Sequence, residues 1–348
     1  MSFLRFFFRF PLQAHAQAIM LAFALALAAV SCSSEGAIQQ ILGTSAEAPV
    51  FLDCRPISST EMVFTFSQPV RVVSLYFNEA LETEAIEDGS EVKVTFTEAL
   101  KEGMKITADI LVENEDRNTL NVIVPFSTRN DRMPALVFNE LRTEYSRPRV
   151  EFVEFLTQGP GNLGAMRLFI ASFSLSKPLY EFPPTEVKAG EYIVLHLRTL
   201  EEGCVDETGP DLALSGGADA QDDARDFWLP GTVKRLRKTD ALWLVDQDDR
   251  IIDAVLLSEG SDPSWSNAVI AEAADFLGTR KAWLPPSGAE AEGWIPSPAD
   301  AVSSAGATVT RTVCRDQNLT PERRAGNWYI AATSNATPGK PNSTKRHN

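Results

Sequence analysis

The chain has 348 residues, 47 acidic against 32 basic side chains, a net charge of −15 and 44% apolar residues. That apolar share allows a sizeable core and argues against general disorder, and the length accommodates two ordinary domains after removal of a leader. The acidic balance excludes the basic surface that nucleic-acid binding demands.

The chain opens with Arg5 and Arg9 as its only charges before Glu35. Ile19 to Val30 is an unbroken apolar run, too short for the roughly 20 residues a bilayer span requires. Its length and flanks fit a secretory signal peptide over 1–31. The run ends in Ala29-Val30-Ser31-Cys32, which resembles the lipobox of bacterial lipoproteins, although Ala29 stands where Leu is usual. The resemblance implies lipid on Cys32, with 32–48 as lipidated N-terminus and tether. The expected location is exported, lipid-anchored to the periplasmic or cell-surface face of a bacterial membrane.

Residues 49–130 read as short strands. Met62, Phe64 and Phe66 alternate with other residues, as do Val92, Val94 and Phe96. Ile106, Ala108, Ile110 and Val112 form a third set, and Leu120, Val122, Val124 and Phe126 a fourth. Period-two alternation marks strands with one buried face, and Asp88-Gly89, Glu102-Gly103 and Asn114 to Asn118 supply the turns. The layout resembles bacterial immunoglobulin-like domains. A polar stretch from Thr128 to Pro134 follows as the domain boundary.

The second region adds strand candidates at Ala135 to Leu141, Arg149 to Leu156, Met166 to Ala171, Glu191 to Leu197, Ala241 to Val245, Ile251 to Leu257, Thr308 to Arg315 and Asn327 to Ala331. Asn267 to Leu277 has helical spacing and predicts one short helix. Asp206 to Asp226 and Pro285 to Ala307 lack periodicity and read as long inserts, of a kind that is functional or disordered. Leu136-Val137-Phe138-Asn139-Glu140-Leu141, Glu151 to Phe155, Val187 to Leu195, Leu244-Val245-Asp246 with Ile252-Asp253-Ala254-Val255, and Trp328 with Thr337-Pro338-Gly339-Lys340-Pro341-Asn342 together resemble the lamin tail domain. The resemblance covers 134–342 and implies a second immunoglobulin-like sandwich, with 343–348 a disordered tail. The fold class expected is all-β: two immunoglobulin-like β-sandwiches in tandem, the second lamin-tail-like. With the lipobox, the whole resembles a lipoprotein of the treponemal, spirochaete type.

No catalytic module stands beside these domains, and no cofactor is expected. Of three histidines, only His196 lies in a predicted strand, where it reads as structural. Glu140, Glu151 and Glu154 cluster on the first two strands. Glu151 and Glu154 point to opposite faces, and Arg142, Arg147 and Arg149 predict ordinary surface ion pairs with this group. Asp246, Asp248 and Asp249 offer oxygen ligands at calcium-like spacing, but they lack the central Gly and distant Glu of an EF-hand loop, and a hairpin turn is the reading preferred for them. Trp265, Trp283 and Trp294 sit in or near loops, where they would either stack on a partner or pin the loops down. Of the cysteines left after Cys32, Cys204 and Cys314 share the second domain and form the natural disulfide pair.

The leading expectation is a non-catalytic binding or structural lipoprotein, held to the membrane by lipid and meeting an unidentified envelope protein or glycan. The alternatives are a calcium-dependent glycan- or protein-binding module and a secreted metal-dependent hydrolase.

Overall fold

The computed structural model describes residues 47–286 and 293–347. The leader, Cys32 and most of the tether lie outside the described residues. The first domain contains β1 (Phe51–Pro56), β2 (Glu61–Phe77), β3 (Thr83–Glu87), β4 (Gly89–Phe96), β5 (Lys105–Glu113) and β6 (Thr119–Ser127). All neighbours are antiparallel, in the order β3-β4-β2-β5-β6, with β1 also on β2. β2 serves both halves. Up to Thr65, and again at Val70 after a break in register, it pairs with β4, and from Arg71 with β5. Pro69 lies in the interruption; lacking an N–H, it cannot continue the ladder and suits a bend. Met62, Phe64, Val92, Val94, Phe96, Ala108, Ile110 and Val112 fill the core, so the alternation read from the sequence defines the buried face.

The second domain is a sandwich of two sheets. Its strands are β7 (Leu136–Arg142), β8 (Phe152–Thr157), β9 (Gly161–Asn162), β10 (Arg167–Ile170), β11 (Tyr180–Glu181), β12 (Glu186–Val187), β13 (Tyr192–His196), β14 (Arg225–Trp228), β15 (Asp240–Val245), β16 (Ile251–Ser258), β17 (Val302–Ser303), β18 (Val313–Arg315) and β19 (Trp328–Ile330). One sheet runs β14-β13-β8-β7-β18-β19 and the other β11-β10-β15-β16-β17, with β9 and β12 as a separate pair.

Helix α1 (Ala268–Thr279) starts at the Asn267 cap, whose side chain accepts the Val269 N–H. Ile270, Ala273, Ala274 and Leu277 are its buried face. The helix covers β15 on the side away from the opposing sheet, with Phe276 tilted against Trp243 at 5.8 Å. Every residue of β15 is therefore buried, and alternation disappears there. Gly278 allows the close crossing that follows. A Cβ at this position would lie 2.6 Å from Pro296 Cδ.

The expectation of a disordered tail is corrected, and the order of the first insert, which the sequence left open, is decided. The tail is ordered through His347: Ala332 donates to the Lys345 carbonyl and His347 to the Ile330 carbonyl, extending the sheet past β19. The insert Asp206 to Asp226 is also held in place, and it ends in β14, which pairs parallel with β13. Neither segment has periodicity, because both lie across an already formed sheet.

The domains are clamped together at Thr128 to Arg132. Gln247 donates to the Thr128 carbonyl at 2.8 Å and accepts the Asn130 N–H at 3.1 Å. The Asn130 side chain donates to the carbonyls of Asn162 and Gly164. Arg132 joins Glu102 of the first domain to Glu186 of the second. Gly103, at φ 61°, abuts Gly164 so closely that a Cβ would sit 2.5 Å from its Cα.

Candidate functional site

The outer face of the β14-β13-β8-β7-β18 sheet is polar, and it is buried. Register places Cys314, Glu140, Glu154, Val194 and Asp226 in one row across five strands. The next row on the same face holds Arg142, Phe152, His196 and Trp228. The insert and the C-terminal segment cover both rows.

Glu140 and Glu154 are directly opposed across β7 and β8, and both are fully buried. Such a pair requires donors, and residues 337–342 bring them. Thr337 gives its N–H (3.0 Å) and hydroxyl (3.0 Å) to Glu140, which also accepts the Thr312 hydroxyl. Gly339 gives its N–H to Glu154 at 2.5 Å, alongside the Asn139 side chain. Asn342 donates to the carbonyls of Asn139 (3.0 Å) and Arg315 (2.8 Å). Burial raises the pKa of both carboxyls, and the charge of Glu140 raises Glu154 further. The motif pieces that carried the resemblance thus converge into one latch, which ties the chain's end to its first strands.

Beside the latch lie buried ion pairs, which overturn the expectation of ordinary surface pairs. Arg142 is 2% exposed and pairs with Asp219 of the insert. Glu151 is held by Arg198, whose Nε donates at 2.6 Å. Arg225 bridges to Glu191 at 2.6 Å, and Arg315 to Asp253 at 2.5 Å. No local pattern marks this burial, because the covering segments have no periodicity of their own. Glu151 and Glu154 do part to separate partners, as their strand spacing requires.

His196 Nε2 lies 2.6 Å from Asp226 Oδ1, and the ring stacks on Trp228 at 3.7 Å. A base oriented by a carboxylate needs a nucleophile within hydrogen-bond reach. Cys314 is three strands away, roughly 14 Å at about 4.8 Å per strand. Burial also pushes its thiol well above the usual range, so it holds its proton.

The other singled-out residues are dispersed. Cys54, Cys204 and Cys314 all carry free thiols. The Cys204–Cys314 disulfide is corrected: Cys204 lies by Gly217 and Trp228 at the β14 edge, four strands from Cys314. That is roughly 19 Å, beyond the roughly 7 Å Cα limit for a bridge. The calcium candidates have other partners. Asp246 caps the turn by accepting the N–H groups of Asp248 and Arg250. Asp248 pairs with Arg129 at 2.7 Å, and Asp249 with Arg167 at 3.0 Å. No group of three or more metal-ligating side chains occurs among the described residues.

The loop tryptophans are anchors rather than an open face. Trp283 is fully buried and donates to the Asp300 carbonyl at 3.0 Å. Trp265 donates to the Pro296 carbonyl at 2.8 Å, and Trp294 packs partly buried against the core. The stretch 296–300 of the second insert is thereby pinned to the segments on either side of α1, and residues 287–292 lie outside the described residues.

The chain is 30% identical over 175 residues to an "Uncharacterized protein" of Treponema pallidum (strain Nichols), an alignment covering 47% of this chain and 43% of that protein. The chain therefore matches less than half of that relative's length. A family model described as "TP_1001_2nd: protein second domain" matches residues 134–330, which hold every strand from β7 to β19. That span is more than half of the chain, and the protein belongs to the TP_1001_2nd second-domain family.

Proposed function

We propose that this protein is an exported bacterial lipoprotein, held to a membrane by lipid on Cys32, with a non-catalytic structural or binding role in the cell envelope. Its second domain is read as lamin-tail-like. The single observation that carries the non-catalytic role is the commitment of the buried polar groups on the second domain's sheet. Glu140 and Glu154 hold the C-terminal latch, Glu151, Asp219 and Asp253 hold arginines, and His196 has Asp226 on one ring nitrogen and, among the described residues, no hydrogen-bond partner on the other. These groups hold loops and tail in place; the side chains at the joint hold one domain against the other. In this reading the two domains project from the membrane as a unit and present a partner with a fixed surface.

The anchor is tested by metabolic labelling with a radioactive fatty acid, followed by membrane fractionation. Wild-type protein should carry label and sediment with membranes. The Cys32→Ser variant should lose the label and appear in the soluble fraction. Unlabelled wild-type protein in the soluble fraction would overturn the anchor.

A further inference from the structure

The latch over β7 and β8 closes on two acidic groups, and no cation is hydrogen-bonded to either. Glu140 and Glu154 stand directly opposite each other and are fully buried; side chains paired in this way have Cβ atoms about 5 Å apart. The donors that reach them are the N–H and hydroxyl of Thr337, the hydroxyl of Thr312, the side-chain amide of Asn139 and the N–H of Gly339. Every one of these groups is neutral. Two buried carboxylates at this spacing repel each other, and neutral donors do not cancel their charge. The closed pair therefore holds one proton between its two carboxyls.

The surrounding groups leave that count unchanged. Burial raises Glu140, and Arg142 in the next row of β7 offsets only part of this, being paired with Asp219. Burial also raises Glu154, and the charges of Glu140 and of Asp226 on β14 add to it; Asp226 itself pairs with His196 of β13. Cys314 of β18, Tyr192 of β13 and Tyr329 of β19 lie on the same face. Burial, and then neighbouring negative charge, raises all three, so they keep their protons. Lys340, in the covering segment, is exposed. Lifting that segment would admit water to the carboxyls, and a solvated glutamate titrates at about 4.3. The closed form thus binds the proton more tightly than the open one. It is favoured while the proton is held and loses ground as pH rises through the closed-state value.

We infer that the strap 337–342 is a proton-locked latch: one proton held between Glu140 and Glu154 keeps it closed, and release of that proton on the alkaline side lets the C-terminal segment lift from the sheet. The lock needs neither the lipid nor a partner, so its failure leaves the proposed envelope role untouched.

Hydrogen exchange of the Thr337 and Gly339 amides in the full chain, followed from about pH 5 to about pH 10, tests the lock. After division by the intrinsic exchange rates, protection of both amides should fall about tenfold per pH unit above the release point, the slope of one proton. The amides of β8 should keep their protection over the same range. Glu154→Gln has no proton to lose at this position, so its strap should show no such slope, whatever its absolute protection. The wild-type slope is read on the native chain and needs no variant to fold. Protection that does not change with pH, a slope that Glu154→Gln retains, or a parallel loss of protection in β8 overturns the lock.

Discussion

Asp240 opens β15, where burial and hydrogen bonding act on its carboxyl in opposite directions. It accepts the N–H groups of Ser172, Arg237 and Ala241 and the Ser172 hydroxyl, all of which favour the charged form. Burial outweighs them and raises its pKa to about 6. An unfolded Asp titrates near 3.9, so between about pH 4 and 6 the unfolded chain releases this proton while the folded chain keeps it. Stability is greatest below that window and falls as pH rises through it, by at most about 3 kcal/mol. Asp240→Asn should flatten the Tm–pH curve there; an unchanged slope would sink the assignment. The Glu151–Arg198 pair makes a different demand. Arg198→Ala strands a fully buried carboxylate and should cost about 3–5 kcal/mol in chemical denaturation. The double change Glu151→Leu with Arg198→Met should recover most of that loss, since no lone charge is left inside.

Helix α1 shows which signals operate at the scale of an element. Its apolar spacing and its asparagine cap are local, so the sequence reveals both. Leu277→Ala should cost about 2–5 kcal/mol by opening a cavity against the sandwich, and Asn267→Ala about 1 kcal/mol by removing the cap; equal losses from the two would contradict this account. The latch is a different kind of element, because its parts are nearly 200 residues apart. Asn342→Ala leaves the buried carbonyls of Asn139 and Arg315 without a donor and should cost on the order of 3 kcal/mol. Hydrogen exchange should show the C-terminal segment opening before the rest of the second domain. Strand periodicity located β7, β13, β15 and β16 within a residue and β8 within three. It missed β14, whose pattern is hidden because the chain is covered on both faces.

At the scale of the whole molecule, the joint decides whether the two sandwiches move as one. Gly103 and Gly164 meet backbone to backbone, and the polar boundary at Thr128 to Arg132 is occupied on both sides. A methyl group at residue 103 has no room and would meet an unfavourable φ. Gly103→Ala should therefore loosen the joint, with faster tryptic cleavage at Arg129 and Arg132 and a more extended particle in small-angle scattering. Cleavage at the wild-type rate would show that the joint tolerates the change.

By itself the sequence determined the all-β class, four of the six strands of the first domain, the helix after Asn267 and the motif pieces that later converge. Each is written in local spacing, which is fixed by the period of a strand or a helix. Only the tertiary structure decided what those pieces do. It buried Glu140, Glu154 and Arg142 under segments without periodicity, assigned Asp248 to the domain joint, turned the loop tryptophans inward and kept Cys204 four strands from Cys314. Burial and pairing of this kind depend on which distant stretch of chain lies across a face. No local repeat records that choice, because it is made by packing and by the need of every buried charge for a partner.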